Sequence, residues 1–150
     1  MKKLFVLILI VFSFSLYSQK YTYVLTNENA IAKDNVTKQI KDQSTAPFKV
    51  YLTLTTYGGG SVVIENGAVI MLTQQYDRND VTQDYHYRGV DDAYLNCSVH
   101  LNTKYEETKG VIYMSIEFQD ITFFYKLLKW ITVNNLVTLY NNQLIGIDYI

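Results

Sequence analysis

Several short stretches of the chain alternate apolar and polar residues, and this two-residue period is the pattern of half-buried β-strands. The clearest of them is residues 48–57. Its Val50, Leu52 and Leu54 fall on one face, because successive side chains of a strand point to opposite sides. Three consecutive glycines at positions 58–60 end this stretch. Further strands are predicted at residues 61–64, 68–74, 94–101 and 111–118.

The residues between the predicted strands at 61–64 and 68–74 carry a strong turn signal. Asn66-Gly67 joins two apolar runs there, and this dipeptide favours a two-residue hairpin turn. A type I′ turn needs positive φ at both central residues. The sequence therefore predicts a tight hairpin with Gly67 at positive φ.

The last third of the chain permits two interpretations. Phe124, Leu127 and Leu128 have helical spacing, which would give an amphipathic helix over about residues 122–140. The same region also holds β-branched residues and two Asn-Asn pairs, and asparagine favours tight turns. A meander of three strands is the favoured prediction, and the helix is the alternative. The three predicted strands are residues 121–133, 136–140 and 144–149.

Residues 29–43 are the other stretch with helical features. Their apolar positions form a loose stripe among charged and amide side chains, which fits a short surface helix or an irregular crossover equally well. The pattern as a whole predicts a mostly β fold in one domain, residues 19–150. Its architecture is an antiparallel sandwich or barrel of about eight to ten strands, with room for one short helix. With the alternative helix at 122–140, the class becomes α+β.

The first 18 residues have a different character from the rest. Lys2 and Lys3 precede an apolar run, and a small residue, Ser18, follows. This layout is typical of a secretory signal, and the segment resembles Sec-type signals. The run is shorter than the roughly 20 residues that span a bilayer. We therefore expect cleavage before Gln19, export to the periplasm or the extracellular space, and no integral membrane segment in the mature chain.

Composition beyond this segment narrows the classes of partner. Without Lys2 and Lys3 the chain carries 11 basic and 14 acidic side chains, so electrostatics give no reason to expect nucleic-acid binding. The chain is rich in tyrosine and threonine, which suit a pleated, half-buried surface. Cys97, the single cysteine, is expected to be a buried apolar residue. No cofactor is predicted.

The densest polar stretch is residues 74–92, which we predict to be a functional loop between two strands. Asp77 and Asn79 begin an EF-hand-like spacing, but Arg88 stands where the closing glutamate of such a loop belongs. No metal site is therefore predicted. A pair of carboxylates within residues 77–92 would permit a small secreted hydrolase. With 14 acidic residues in the chain, however, some such pairing arises by chance.

The same stretch favours binding over catalysis. In an extended conformation Tyr85 and Tyr87 share a face, and amphipathic rings beside carboxylates are typical of surfaces that bind sugars or proteins. No nucleophile elbow or phosphate loop is present in the sequence. We therefore predict a module that binds a carbohydrate or a protein partner, with the hydrolase as the alternative. The candidate ligand-binding residues are Tyr85, His86, Tyr87, Arg88, Asp91 and Asp92.

Overall fold

The computed structural model describes residues 20–55 and 58–130, and these residues form nine antiparallel strands and one short helix. The strands in chain order are β1 (Lys20–Asp34), β2 (Ile40–Ser44), β3 (Lys49–Thr55), β4 (Gly60–Ile64), β5 (Val69–Asn79), β6 (Asp84–Asp91), β7 (Asn96–Asn102), β8 (Val111–Glu117) and β9 (Ile121–Trp130). The helix, α1 (Glu106–Lys109), lies between β7 and β8. In the part of the chain that the structure describes, no helix has the length and apolar character of a membrane span.

Eight of the strands close into a barrel. Each strand from β3 to β8 pairs with the next one along the chain, and β1 completes the circle by pairing with β3 on one edge and with β9 on the other. The ninth strand, β2, pairs with the second half of β1, where Ile31 lies opposite Gln43. The prediction of a mostly β, antiparallel fold is confirmed. The eight strands β1 and β3–β9 form a closed ring of pairings, so the architecture is the barrel rather than the sandwich.

The barrel interior is filled differently at its two ends. We call the end with the β3–β4, β5–β6 and β7–β8 connections the mouth, and the opposite end the base. Aromatic rings fill the base: Phe48 packs edge-on against Tyr125, and Phe118 packs edge-on against Phe123, with ring centres 6.3 and 6.2 Å apart. Aliphatic residues fill the middle. The fully buried ones are Leu25, Val50, Leu52, Val62, Ile70, Val99, Leu101, Ile112, Ile116 and Leu127.

Residues 29–43 contain no helix, so neither the surface helix nor the irregular crossover predicted there is correct. β1 continues to Asp34, and β2 begins at Ile40 after a turn. The side chain of Asp34 accepts hydrogen bonds from the backbone N–H groups of Val36 and Thr37, each at 2.9 Å, and so holds the turn. Both edges of β1 find partners here, β9 and β2, and this pairing outweighs the weak local pattern.

At the C-terminal side, the alternative helix over residues 122–140 is wrong as far as Trp130, because β9 is a strand paired with β8 and β1. The first strand of the favoured meander is confirmed over the same residues. The helical spacing arises because β9 is apolar on both faces: Leu127 is fully buried, whereas Phe124 is 43% exposed on the outer wall. The two later strands of the meander and the signal segment lie outside the described residues.

The hairpin turn between β4 and β5 is present, but the φ prediction for it is wrong. Asn66, not Gly67, adopts positive φ, at 55°. The N–H of Gly67 donates a 2.9 Å hydrogen bond to the carbonyl of Ile64. Asparagine tolerates the left-handed region, so Asn66 supplies the conformation that the turn needs. Gly67 serves instead to avoid a close contact, because a Cβ there would lie 3.0 Å from Ile64 Cγ2.

Candidate functional site at the barrel mouth

The polar residues 74–92 are a hairpin rather than the predicted loop. β5 continues to Asn79 and β6 begins at Asp84, so that only four residues connect them. The Asn79 side chain accepts hydrogen bonds from the backbone N–H groups of Val81 and Thr82 at 3.0 and 3.1 Å, which closes the connection. The part of this hairpin near its connection is polar because it extends the barrel wall toward solvent at the mouth.

Tyr85 and Tyr87 share a face, as predicted, and that face points into the barrel. Tyr87 is only 5% exposed, and the half-buried Tyr85 packs against the core. The side-chain amide of Gln75 on β5 donates a 3.3 Å hydrogen bond to the Tyr87 hydroxyl. Burial, with a smaller contribution from Tyr85, raises the pKa of Tyr87. The phenol is therefore neutral and available as a donor or acceptor.

These side chains border a cavity of about 410 Å³ at the mouth. Its floor is aliphatic and includes Leu52, Leu101 and Ile112, all fully buried. Three phenol rings contribute to its wall, because Tyr23 of β1 joins the two tyrosines of β6. Small-molecule sites are typically concave, about 300–1,000 Å³ in volume and mainly apolar with a few polar groups. The mouth cavity is within this size range, and its lining combines apolar and polar groups in similar measure. Its more polar lining residues are Thr55, Gln75, Arg78, Thr103 and Glu106.

The two charged side chains that line the cavity both have partners. The carboxylate of Glu106 lies 2.7 Å from Lys129 Nζ, and these two side chains are 17% and 22% exposed. Lys129 also lies over the Tyr23 ring, 5.8 Å from its centre. Arg78 Nε is 2.7 Å from the carboxylate of Asp80, outside the cavity. The cavity therefore has polar groups at its rim but no charge that lacks a counter-ion.

The β7–β8 connection places Glu106 at this rim. Helix α1 begins with a hydrogen bond from Glu106 N–H to the Thr103 carbonyl at 3.0 Å. It ends at Gly110, whose φ of 63° is the left-handed conformation that closes many helices. The N–H of Lys129 donates a 2.7 Å hydrogen bond to the Gly110 carbonyl. The connection is thus tied to β9 by a backbone hydrogen bond as well as by the ion pair.

His86 and Arg88 point to the outer wall, away from the cavity. The His86 ring stacks on His100 of β7, with ring centres 4.3 Å apart and planes within 5°. His100 Nε2 lies 2.8 Å from the carboxylate of Asp84. Hydrogen bonds from Thr82, Asn102 and His100 lower the pKa of Asp84 to about 2, so this carboxylate is ionised at neutral pH and cannot serve as a general acid. Arg88 lies over the ring of Tyr76 at 5.6 Å.

Asp91 and Asp92 lie at the other end of β6, in the turn to β7 at the base. The Asp91 side chain accepts hydrogen bonds from the N–H groups of Ala93 and Leu95 at 3.0 and 2.7 Å, which is a turn-forming role. Seven residue steps along a strand separate Asp84 from Asp91 by about 23 Å. The structure therefore divides the six candidate residues among three places and holds Asp84 and Asp91 at opposite ends of β6. Across residues 20–55 and 58–130, no three His, Cys, Asp or Glu side chains form a metal-binding group.

The sequence pattern did not indicate several residues that line the cavity, namely Tyr23, Gln75, Arg78 and Glu106, or Lys129, which pairs with Glu106. The register of β5 shifts after Leu72 and again after Gln75, so alternation does not reveal that Gln75 points inward. Glu106 and Lys129 come together only through the fold. Comparison of the chain with protein-family models, with curated proteins and with solved structures found no match. The geometry of the mouth cavity is therefore the basis of the functional proposal.

Proposed function

We propose that the chain is an exported binding protein whose barrel mouth holds a small, neutral carbohydrate or a similar polyhydroxy ligand. The observation that carries this proposal is the 410 Å³ cavity with three tyrosine rings above an aliphatic floor. Sugars offer C–H faces to aromatic rings and hydroxyl groups to polar side chains. Both kinds of protein group line this one cavity, which favours such a ligand over a purely apolar one.

The polar groups of the rim suit hydroxyls, which donate and accept hydrogen bonds. Gln75 offers an amide that does both, Thr103 offers a hydroxyl, and the Glu106 carboxylate accepts. A charged ligand is disfavoured because Glu106 and Lys129 already neutralise each other in a largely buried position. A cation would have to draw Glu106 away from Lys129 and leave the lysine uncompensated, which is costly where solvent access is low. An anion would have to compete with Asp80 for Arg78.

The size and shape of the barrel limit the ligand. The cavity lies near the lower end of the range for small-molecule sites, which suits one or two sugar rings better than a polymer. Aromatic rings fill the base, so a chain cannot pass through the barrel. The mouth could therefore hold only the terminal sugars of a polysaccharide. No observation favours hydrolysis, because Glu106 is the single carboxylate among the lining residues.

Binding is tested with a glycan array followed by calorimetry on the strongest hit, using Tyr85→Ala and the control Tyr113→Ala. Tyr113 is an outer-wall tyrosine, 43% exposed. We expect Tyr85→Ala to weaken binding at least tenfold, or about 1.4 kcal/mol, because a ring that contacts the ligand is lost. Tyr113→Ala should bind like the wild type. Equal affinities for all three proteins, with unchanged far-ultraviolet spectra, would rule out the mouth as the site.

The proposal that the chain is exported depends on residues 1–18 alone, and its test is separate from the test of ligand binding. The basic start, the short apolar run and Ser18 support removal of this segment during secretion. N-terminal sequencing of protein recovered from the periplasm or the medium should begin at or near Gln19. Protein that keeps Met1 and fractionates with membranes would contradict export of a free chain.

A further inference from the structure

The turn between β6 and β7 carries an exposed aromatic residue in an unfavourable backbone conformation. The N–H of Tyr94 donates to the Asp91 carbonyl, and the N–H of Asp91 donates to the Leu95 carbonyl, both at 3.0 Å. Tyr94 ends this short loop at a φ of 62°, where glycine is the usual residue. Its side chain is 90% exposed and gains almost no burial in return. Folding alone would favour glycine or asparagine here, so the tyrosine calls for another explanation.

The neighbours of Tyr94 make the same turn a compact contact surface, which we call the β6–β7 tip: Asp92, Tyr94 and Leu95. Leu95 is 57% exposed beside the tyrosine. Asp92 is exposed as well, and it has no cationic partner in the described part of the chain. The tip therefore presents an aromatic ring, an aliphatic side chain and one uncompensated negative charge. Large exposed apolar groups next to a charge are typical of protein contact sites.

A complementary surface lies on the outer wall of the same barrel, across β8, β9 and β1. It is a mainly apolar groove of about 430 Å³, which we call the outer groove. Ile31, Tyr113 and Phe124 line it, and the last two are each 43% exposed. Lys33 stands at this surface, with Nζ 5.4 Å from the centre of the Phe124 ring. Within residues 20–55 and 58–130, Lys33 forms no ion pair with a carboxylate.

We propose that the β6–β7 tip of one copy of this chain binds in the outer groove of a second copy. Tyr94 and Leu95 enter the groove, and Asp92 pairs with Lys33. The two surfaces match in polarity and in charge, with one unpaired carboxylate on the tip and one unpaired ammonium at the groove. This inference is independent of ligand binding at the mouth.

The contact joins two different patches, so it is heterologous and leaves a free tip and a free groove at the ends of any open assembly. Copies can therefore add one after another. A single turn buries little surface compared with the roughly 1,600 Å² of a standard interface, so association should be weak and concentration-dependent. A weak association of this kind leaves a measurable monomer population at low concentration.

Sedimentation velocity of the mature chain over a wide concentration range tests the proposal, with Tyr94→Asn as the main variant. Asparagine adopts positive φ readily, so this variant should melt at the wild-type temperature or above it while losing association. Val81→Asn is the matched control, because Val81 is 91% exposed in another turn at the mouth. It should associate like the wild type. A wild-type chain that stays monomeric throughout, or a Tyr94→Asn variant that associates normally, overturns the proposal.

A mixing experiment distinguishes the tip-in-groove contact from any symmetric one. Tyr94→Asn keeps an intact groove and Phe124→Asp keeps an intact tip, so each alone should be monomeric and the mixture should form a 1:1 dimer. Charge reversal provides a second test that does not depend on Phe124→Asp folding. Asp92→Lys and Lys33→Asp should each weaken association at least tenfold, and the two combined in one chain should restore it. A mixture that stays monomeric, or a double reversal as weak as the single ones, contradicts the contact.

Discussion

Replacing Gly60 with alanine should lower the free energy of unfolding by about 3 kcal/mol or more, a large share of the roughly 5–15 kcal/mol that is typical of a domain. Gly60 opens β4 with a φ of 147°, opposite Leu54 of β3. A Cβ at this position would lie 1.9 Å from the carbonyl oxygen of Thr53, which is backbone and cannot rotate away. The β3–β4 pair would have to separate, and the barrel would lose its closed hydrogen-bonding circuit at the mouth.

Urea denaturation of the wild type and of Gly60→Ala measures this loss of stability, and Gly110→Ala is the control variant. Gly110 also has positive φ, at 63°, but nothing lies within 4 Å of the position that its Cβ would take. That variant carries only the conformational cost, about 1–2 kcal/mol. If Gly60→Ala proves no less stable than Gly110→Ala, the close approach of β3 and β4 is wrong.

Leu101→Ala should have the second-largest effect, a loss of about 2–5 kcal/mol of unfolding free energy. Leu101 is fully buried where the aliphatic core meets the mouth cavity, so truncation removes packing and enlarges the cavity at its floor. Leu95→Ala is the control, because Leu95 is 57% exposed and should change stability by less than about 0.5 kcal/mol. Chemical denaturation of both variants checks this, and equal midpoints would mean that the floor of the cavity is not packed as described.

Local patterning was sufficient to predict most of the strands, because each has one face in a continuous core. Val50 and Leu52 on β3 are buried, as alternation indicates. Closure of the sheet was not predictable from such patterns. It depends on β1 pairing with β9, where Leu25 lies opposite Lys129. These segments are far apart in the chain, and nothing in the sequence of one indicates that it pairs with the other. The alternating pattern of the strands is therefore equally compatible with a sandwich and with a barrel.

The candidate site at the mouth was predicted only in part, for two physical reasons. Alternation correctly placed Tyr85 and Tyr87 on one face of β6. The alternation of side chains does not show which face of a strand points into the barrel when both faces carry polar groups, as on β6 near the mouth. On β5, the shifts of register around Gln75 break the alternation altogether. Near the mouth, β6 thus has the composition of a loop while being paired on both edges, with β5 and with β7. The aspartates of this segment then serve turns and outer-wall hydrogen bonds.

Phe124 explains why the sequence of β9 also fits a helix. Its exposed ring lies on the outer face of β9, while Leu127 occupies the inner face. Apolar residues on both faces of a strand produce spacings that also fit a helix. The same outer-wall apolarity forms the groove that we propose for self-association. The apolar outer face of β9 therefore accounts both for the helix-like spacing in the sequence and for the outer groove.

The most direct test of binding at the mouth is an NMR titration of isotope-labelled protein, residues 19–150, with the sugar that binds best on the array. We expect the amide and side-chain signals that shift to belong to the mouth, with Gln75, Tyr85, Tyr87, Thr103 and Glu106 among them. Signals from the outer groove and from the base should stay in place. Shifts confined to outer-wall residues such as Tyr113 and Phe124, with the mouth signals unchanged, would contradict the claim that the barrel mouth is the binding site.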